Sequence, residues 1–367
     1  MPVDYDIASF GQDYWQARDK FLIACRLLPG RLTTLLHPLH CEDQPLATDL
    51  FWLGDEKAEN VLVIISATHG VEGFCGSAAQ VNWLRHEVLP DKVAVLFIHA
   101  LNPFGFAHLR RVNEDNIDLN RNFIDFNQVP VNEGYRALAD VLLPSGWDES
   151  SFSDCQQALA EFRNKHGQRK TEEAVSGGQY HYPGGLFYGG KAPSWSRHNI
   201  EQLIQDYQLT DRKKVAVVDI HSGLGPYGYG EIICDHPPHT PGAARARRWF
   251  GDSVTEPALG TSTSVPKSGL LDYAWQQALG DKVCYVTLEF GTYALEEMFE
   301  VLREENYVWQ KEGASKSLSN AIKRVQQRLR GYFYPDKTDW KEMVLFRSSQ
   351  VLAQALRGLQ EQDGLSD

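Results

Sequence analysis

No run of apolar residues in this 367-residue chain approaches the roughly 18 that a membrane-spanning helix needs. Long basic runs are missing too: Lys+Arg 36 against Asp+Glu 48 leave a net charge of −12. That balance argues against nucleic acid or an anionic membrane as a partner, and an acidic surface chiefly keeps a protein soluble. The six cysteines, Cys25, Cys41, Cys75, Cys155, Cys234 and Cys284, include no CxxC pair. A disulfide framework and a thiolate zinc site are therefore both disfavoured. The opening stretch, MPVDYDIASFGQDYWQARDK, has neither the basic start nor the apolar core of a secretory signal. A reducing cytoplasm is the expected location.

What the chain does have is length for a large core, in one big α/β domain or two smaller ones. It also has one stretch, NVLVIISATHGVEGFCGSA at 60–78, around which the rest is organised. Val61 to Ile65 are continuously apolar and rich in β-branching, which predicts a strand buried on both faces of a mostly parallel sheet. Thr68, His69 and Gly70 fall at its C-terminal end, where open α/β sheets place ligands. Glu72 follows three residues after His69. Imidazole nitrogen and carboxylate oxygen together suit zinc; yet HxxE recurs by chance, and a lone His at a strand end usually only hydrogen-bonds. Nearby Cys75 reads as a small buried packing residue.

Taken in order, the pattern predicts a helix at Tyr14 to Leu27 and a hairpin of strands at Leu32 to His40 and Ala47 to Leu53, on the sheet edge. The strand at Val61 to Ser66 leads to a helix at Gly76 to Glu87 and a buried strand at Val93 to Ala100. Strand, helix, strand is the α/β signature. The segment HLRRVNEDNIDLNRNF, 108–123, then gathers Arg110, Arg111, Asn113, Asp118, Asn120, Arg121 and Asn122 without periodicity. It is either a solvated loop whose arginines pair with nearby acids or a binding segment. A guanidinium fork grips a carboxylate in two places and stabilises an oxyanion.

Between about 128 and 211 the pattern is irregular, with helices expected at Asp154 to His166 and Ser194 to Gln208 around SGGQYHYPGGLFYGG. Such a length reads as a lid or pocket wall, its aromatics arguing against disorder. Tyr180, Tyr182, Phe187 and Tyr188 fit that wall or ordinary packing under a loop equally well. Val215 to Ile220 is the next buried strand and ends in His221. Glu231 to Cys234 is a short strand, Thr240 to Phe250 a helix, and Val283 to Leu288 a strand ending in Glu289. Helices at Ala294 to Gln310, Ser315 to Leu329 and Trp340 to Gln360 would cover the sheet or form an oligomer contact. Three apolar strands thus deliver His69, His221 and Glu289 to one sheet edge if they are parallel neighbours. Asp219, two residues before His221, points the same way on a regular strand and offers either a carboxylate–histidine contact or a salt bridge.

At this point the sequence resembles the zinc carboxypeptidase superfamily, the M14-like metallopeptidases and their amidohydrolase relatives. HGVE at 69–72, NPFGF at 102–106, DLNRNF at 118–123, DIHSG at 219–223 and TLEFG at 287–291 stand in that family's order. HxxE alone is a weak signal and the ordered set with DLNRNF a strong one. The pattern is most similar to a bacterial branch carrying a domain of unknown function, DUF2817-like. The resemblance implies a three-layer α/β/α fold with a mostly parallel mixed sheet, phosphorylase/hydrolase-like. It also implies one zinc per chain on His69, Glu72 and His221, and Glu289 as general base. Arg111 would stabilise the oxyanion, with Arg110 competing for that role, and Asn120 and Arg121 would hold the substrate's terminal carboxylate.

One departure stands out. Digestive-type relatives carry a Tyr before an SGG-like segment, where SVPKSGLLDYAW at 264–275 offers Val265, Pro266 and Lys267. Either Tyr227, Tyr229 or Tyr188 supplies a capping phenol from another loop, or this branch does not use one. The expected organisation is a single catalytic domain over 1–367: hairpin 30–55, core 56–127 and 212–295, lid-like insertion 128–211, C-terminal helices 296–367. The expected activity is hydrolysis of an amide bond beside a free carboxylate, carboxypeptidase-like, on a small-molecule or peptide substrate. The alternatives are an N-acyl amino acid deacylase of the aspartoacylase and succinylglutamate desuccinylase type and a metal-free carboxylate-binding protein.

Overall fold

The structure is a computed structural model that describes residues 6–41, 43–86, 88–312 and 319–361. The strands are β1 (Gly30–Cys41), β2 (Gln44–Leu53), β3 (Asn60–Ser66), β4 (Val93–His99), β5 (Lys214–Tyr227), β6 (Glu231–Ile233), β7 (Val254–Thr255) and β8 (Val283–Gly291). Among the described residues they form one eight-stranded sheet in the order β1-β2-β4-β3-β5-β8-β6-β7. The middle four, β4, β3, β5 and β8, run parallel. The β1–β2 hairpin is antiparallel on one edge, and β6 runs antiparallel to β8 near the other.

The apolar runs become central strands because both faces of the sheet are covered. Leu62, Ile64, Phe97, Val218, Val286 and Leu288 turn to one face, onto helices Tyr14–Arg26, Gly73–His86, Pro241–Phe250 and Thr338–Gln360. Their alternating neighbours Val61, Val63, Ile65, Leu96, Val217 and Tyr285 turn to the other, onto Trp195–Asp206 and Leu271–Leu279. This is a three-layer α/β/α sandwich whose cores share strands with a period of two residues. Each buried Val, Ile or Leu contributes roughly 1.5–3 kcal/mol, so the central strands are the best-anchored backbone available to a site.

Several boundaries differ from the sequence reading. β5 does not stop before His221 but continues to Tyr227, and β8 carries Glu289 within it and runs to Gly291, because the strands keep pairing. His221 faces Glu289, Gly223 faces Gly291, and a register shift follows between Gly223 and Tyr227. The insertion is more helical than expected, with Glu133–Leu142, Glu149–His166 and Gln168–Ser176 packed around Tyr135, Leu138, Cys155 and Leu159. The expected helix over 315–329 is Asn320–Phe333, its expected start at Ser315 lying outside the described residues, as does the helix end expected at Glu87. The six cysteines are buried, and Cys25, Cys75, Cys155, Cys234 and Cys284 are free thiols. No helix among the described residues is long and apolar enough to cross a membrane.

Candidate metal centre

The C-terminal ends of β3, β5 and β8 carry the site. After β3 the chain turns through Ala67, at a left-handed φ of 56°, and presents His69 ahead of a single 3-10 turn, Gly70–Glu72. Two motifs lock that turn. Gly70 and Val71 donate backbone hydrogen bonds to the carbonyls of Arg111 and Arg110, at 3.1 and 2.8 Å. A Cβ on Gly70 would sit 2.0 Å from the Gly105 carbonyl carbon, so only glycine permits this approach. Gly105 is held in turn by Asn102, whose Oδ1 accepts from the Gly105 amide at 2.8 Å.

Here His69, Glu72 and His221 converge, all buried. His69 Nδ1 is 3.0 Å from Glu72 Oε1, His221 Nδ1 is 3.2 Å from Glu72 Oε2, and the two Nδ1 atoms are 3.1 Å apart. Neighbouring corners of a tetrahedral zinc site with bonds of about 2.0–2.1 Å lie about 3.3 Å apart, so these three side chains fit a metal ion. The far side of each imidazole is backed by a carboxylate. His69 Nε2 lies 3.0 Å from Asp118 Oδ1, and His221 Nε2 lies 2.7 Å from Asp219 Oδ2. With a metal bound, a carboxylate in that position favours the proton on Nε2 and the Nδ1 lone pair toward the common point; Arg111 Nη2 also lies 2.9 Å from His69 Nε2. Asp219 is itself fixed by the Thr68 and Tyr285 hydroxyls, which donate to it at 2.9–3.0 Å.

Charge balance follows from these contacts. Burial alone would raise the carboxyls of Glu72 and Asp118, but nearby cations, Arg111 and His69 foremost, hold both below the usual carboxylate range. Burial would likewise lower His221, but Asp219 and Glu72 raise it well above its ordinary value. Glu289 sits beside His221 on β8, half-buried, and Oε1 accepts from the Leu224 amide at 3.0 Å. Burial and the Glu72 charge push its carboxyl up to about 7.

Arg111, Asn120 and Arg121 line the same cleft. Arg111 bonds Glu72 Oε1 at 2.7 Å and Asp118 Oδ2 at 3.1 Å. Arg121 is fully buried and spends donors on the carbonyls of Ser176 and Asn120. Asn120 Oδ1 accepts from the Leu271 amide at 2.7 Å, which ties DLNRNF to the 264–275 segment. Gly269, at a φ of 73°, makes that junction: a Cβ there would meet the Arg121 carbonyl at 2.2 Å.

Other expected residues are elsewhere. Arg110 is not in the cleft: it is buried against Glu305 at 2.5 Å and Asn116 at 3.1 Å, with its guanidinium 4.1 Å from the Trp309 ring centroid. Tyr227 is carried outward by the extra length of β5, and its hydroxyl donates to Asp339 at 3.1 Å. Tyr229 is exposed and Tyr188 lies in a core, so among the described residues lining the cleft there is no phenol. In its place stand residues the sequence reading did not assign. Lys267, half-buried, donates to Ser264 Oγ and to the Val265 carbonyl, and burial followed by the Arg121 charge lowers it to about 8. Asp235 faces the cleft too, raised by burial against the opposing pull of Lys267 and Arg121. Asp235 stands two residues past the end of β6, a strand that pairs beside Glu289, and that is the one local signal of its place.

The sheet, its helical layers and this edge-on site define the carboxypeptidase-like class of α/β hydrolase folds. Carboxypeptidase A from Helicoverpa armigera is similar at a TM-score of 0.50 and 14% identity, over 96% of this chain and 74% of that one. Bovine thrombin-activatable fibrinolysis inhibitor, in complex with tick carboxypeptidase inhibitor, gives a TM-score of 0.41 and 13% identity, over 95% and 99%. An aspartoacylase family protein from Mesorhizobium loti gives 0.36 and 13%, over 72% and 62%. No curated protein sequence matches the chain. Residues 10–347 match the family described as "Protein of unknown function (DUF2817)", and the chain belongs to that family.

Proposed function

We propose that the protein is a zinc-dependent hydrolase that cleaves an amide bond next to a free carboxylate, in the manner of a carboxypeptidase. The observation that carries this reading is the convergence of two Nδ1 atoms and one carboxylate within 3.0–3.2 Å of each other, with Glu289 beside them on the adjoining strand. A binding protein has no use for that spare carboxylate.

His69, Glu72 and His221 would hold the metal, which when bound polarises a carbonyl and lowers the pKa of a water. Glu289, raised to about 7 by burial, is poised to take a proton from the attacking water and pass it to the leaving nitrogen, since a base near the working pH does both. Arg111, reaching the cleft beside Glu72, offers a fixed cation where negative charge develops on the carbonyl oxygen. Asn120 and Arg121 would hold the terminal carboxylate of the substrate and set its distance from the scissile bond. The same groups suit an N-acyl amino acid deacylase, whose substrate also ends in a carboxylate. The buried free thiols of Cys25, Cys75, Cys155, Cys234 and Cys284 suit the cytoplasm as its location.

The test combines elemental analysis of protein purified without added metal with two variants. About one zinc per chain is expected, lost in His69→Ala and retained in Glu289→Gln. Turnover of C-terminal or N-acyl amino acid substrates should fall about 10²–10⁴-fold in Glu289→Gln. Retained turnover in that variant, or protein without metal that zinc does not stabilise, would overturn the reading.

A further inference from the structure

The cleft has two unlike ends. Behind Glu289 on β8, Thr287 faces the same way and pairs with Ile233, which leads to Asp235, Lys267 and Arg121. That end is charged, and it is where the carboxylate of the proposed substrate belongs. Beyond Glu289 the lining is apolar: Leu224, Leu295, Met298, Phe299, Leu302 and Phe333. The two ends meet at the sheet edge, where a Cβ on Gly223 would lie 2.6 Å from Phe333 and 3.7 Å from the Met298 sulfur. Leu295, Met298 and Phe299 are only half-buried and sit on the first turn of helix Leu295–Glu312. Leu159 and Val175 of the insertion line the cleft as well.

We infer that the apolar end receives a bulky apolar group on the carbonyl side of the scissile bond, so the substrates are amino acids or short peptides carrying a large apolar acyl group or penultimate side chain. This deepens the proposed hydrolase reading and rests on it for the direction in which the substrate lies. With the carboxylate at Arg121 and the amide at the ligand group, the acyl part can extend only past Gly223. Half-exposed apolar side chains in a cleft gain most from a ligand that covers them. An anionic acyl group is disfavoured because no cation stands among the six residues, exposed Glu296 is on the rim, and Arg163, which the insertion brings to the cleft, is accompanied there by Glu172. The specificity comes from helix Leu295–Glu312, outside the strands that carry the site.

The experiment compares kcat/KM of the metal-loaded wild-type protein for substrates sharing a leaving amino acid but bearing a phenylpropionyl, acetyl or succinyl group, across several leaving residues. Calorimetric binding of the same compounds to Glu289→Gln runs alongside. The phenylpropionyl compounds should exceed the acetyl and succinyl ones by roughly 10–200-fold in kcat/KM and in affinity. Met298→Lys and the milder Met298→Gln should erase most of that ratio. Turnover with equal or reversed preference overturns this inference and leaves the hydrolase reading standing. Selective binding without turnover in the wild type supports the apolar end and overturns the hydrolase reading. Absence of both binding and turnover overturns both.

Discussion

His69 touches two carboxylates, Glu72 through Nδ1 and Asp118 through Nε2, both at 3.0 Å. Glu72 is the one that would share a metal ion with His69 under the proposed function, which leaves Asp118 the part of fixing the ring. Losing such a partner typically costs 10–100-fold in metal affinity. Asp118→Asn keeps the shape and removes the charge, and we expect zinc affinity by chelator competition to fall by about that factor with the helical signal unchanged. Unaltered affinity would show that His69 is oriented by packing alone. At this scale the sequence was only partly legible. His69, Glu72, His221, Glu289, Arg111, Asn120 and Arg121 are brought to one cleft, because each sits at or beside the end of an apolar strand or in one dense polar loop. Arg110 and Arg111 are neighbours that part company: Arg110 is claimed by Glu305, 195 positions away, and no local pattern announces a partner so distant.

Elements decide how firmly the strand ends are held. Helix Thr338–Gln360 packs fully buried Trp340 against Phe10 and Tyr334, and its indole Nε1 donates to the Gly291 carbonyl at 2.9 Å. Gly291 ends β8 two residues past Glu289, so this bond pins the edge of the site. Trp340→Ala should lower the unfolding free energy by about 3–5 kcal/mol. Trp340→Phe, which keeps a ring but drops the donor, should lower it by about 0.5–1.5 kcal/mol, because the Gly228 amide still donates to that carbonyl at 2.9 Å. Denaturant titration measures both, and a loss under 1 kcal/mol in the alanine variant would mean that the carbonyl and the core do not depend on this side chain. Helices in the insertion show where sequence reading fell short. Tyr135, Leu138, Ala139 and Leu142 stand at helical spacing behind the N-cap Asn132, so Glu133–Leu142 was detectable. The extension of β5 to Tyr227 was not. Gly223, Gly225 and Pro226 look like a strand's end, and only continued pairing with β8 keeps the chain extended.

Over the whole molecule, the layered architecture was readable because continuous apolar runs separated by amphipathic segments admit little else. The sheet order was not, since β4-β3-β5-β8 depends on crossovers that leave no mark in local pattern. Burying both faces of that sheet has a cost that appears in acid. His99, in the sheet with its ring stacked 4.4 Å from Phe21, and His236, whose Nε2 accepts from the Tyr285 amide at 3.0 Å, are almost wholly enclosed. Burial lowers both to about 4. Arg18 and Arg245 add to this, while Asp49 and Gln276 oppose it in His99 and His236 respectively. In the unfolded chain each titrates near about 6.5, so between pH 6.5 and 4 the unfolded state binds more protons and stability rises with pH. Their neutral forms are tolerated fully above pH 6.5, and stability is lost as pH falls toward 4, by about 3 kcal/mol for each histidine. Unfolding free energies measured between pH 7.5 and 4 should therefore drop steeply below 6.5. His99→Gln should flatten that slope by about one proton even if it lowers stability at pH 7.5, because a glutamine cannot take up a proton in either state. A slope unchanged by that substitution would mean that His99 is as easily protonated in the fold as out of it.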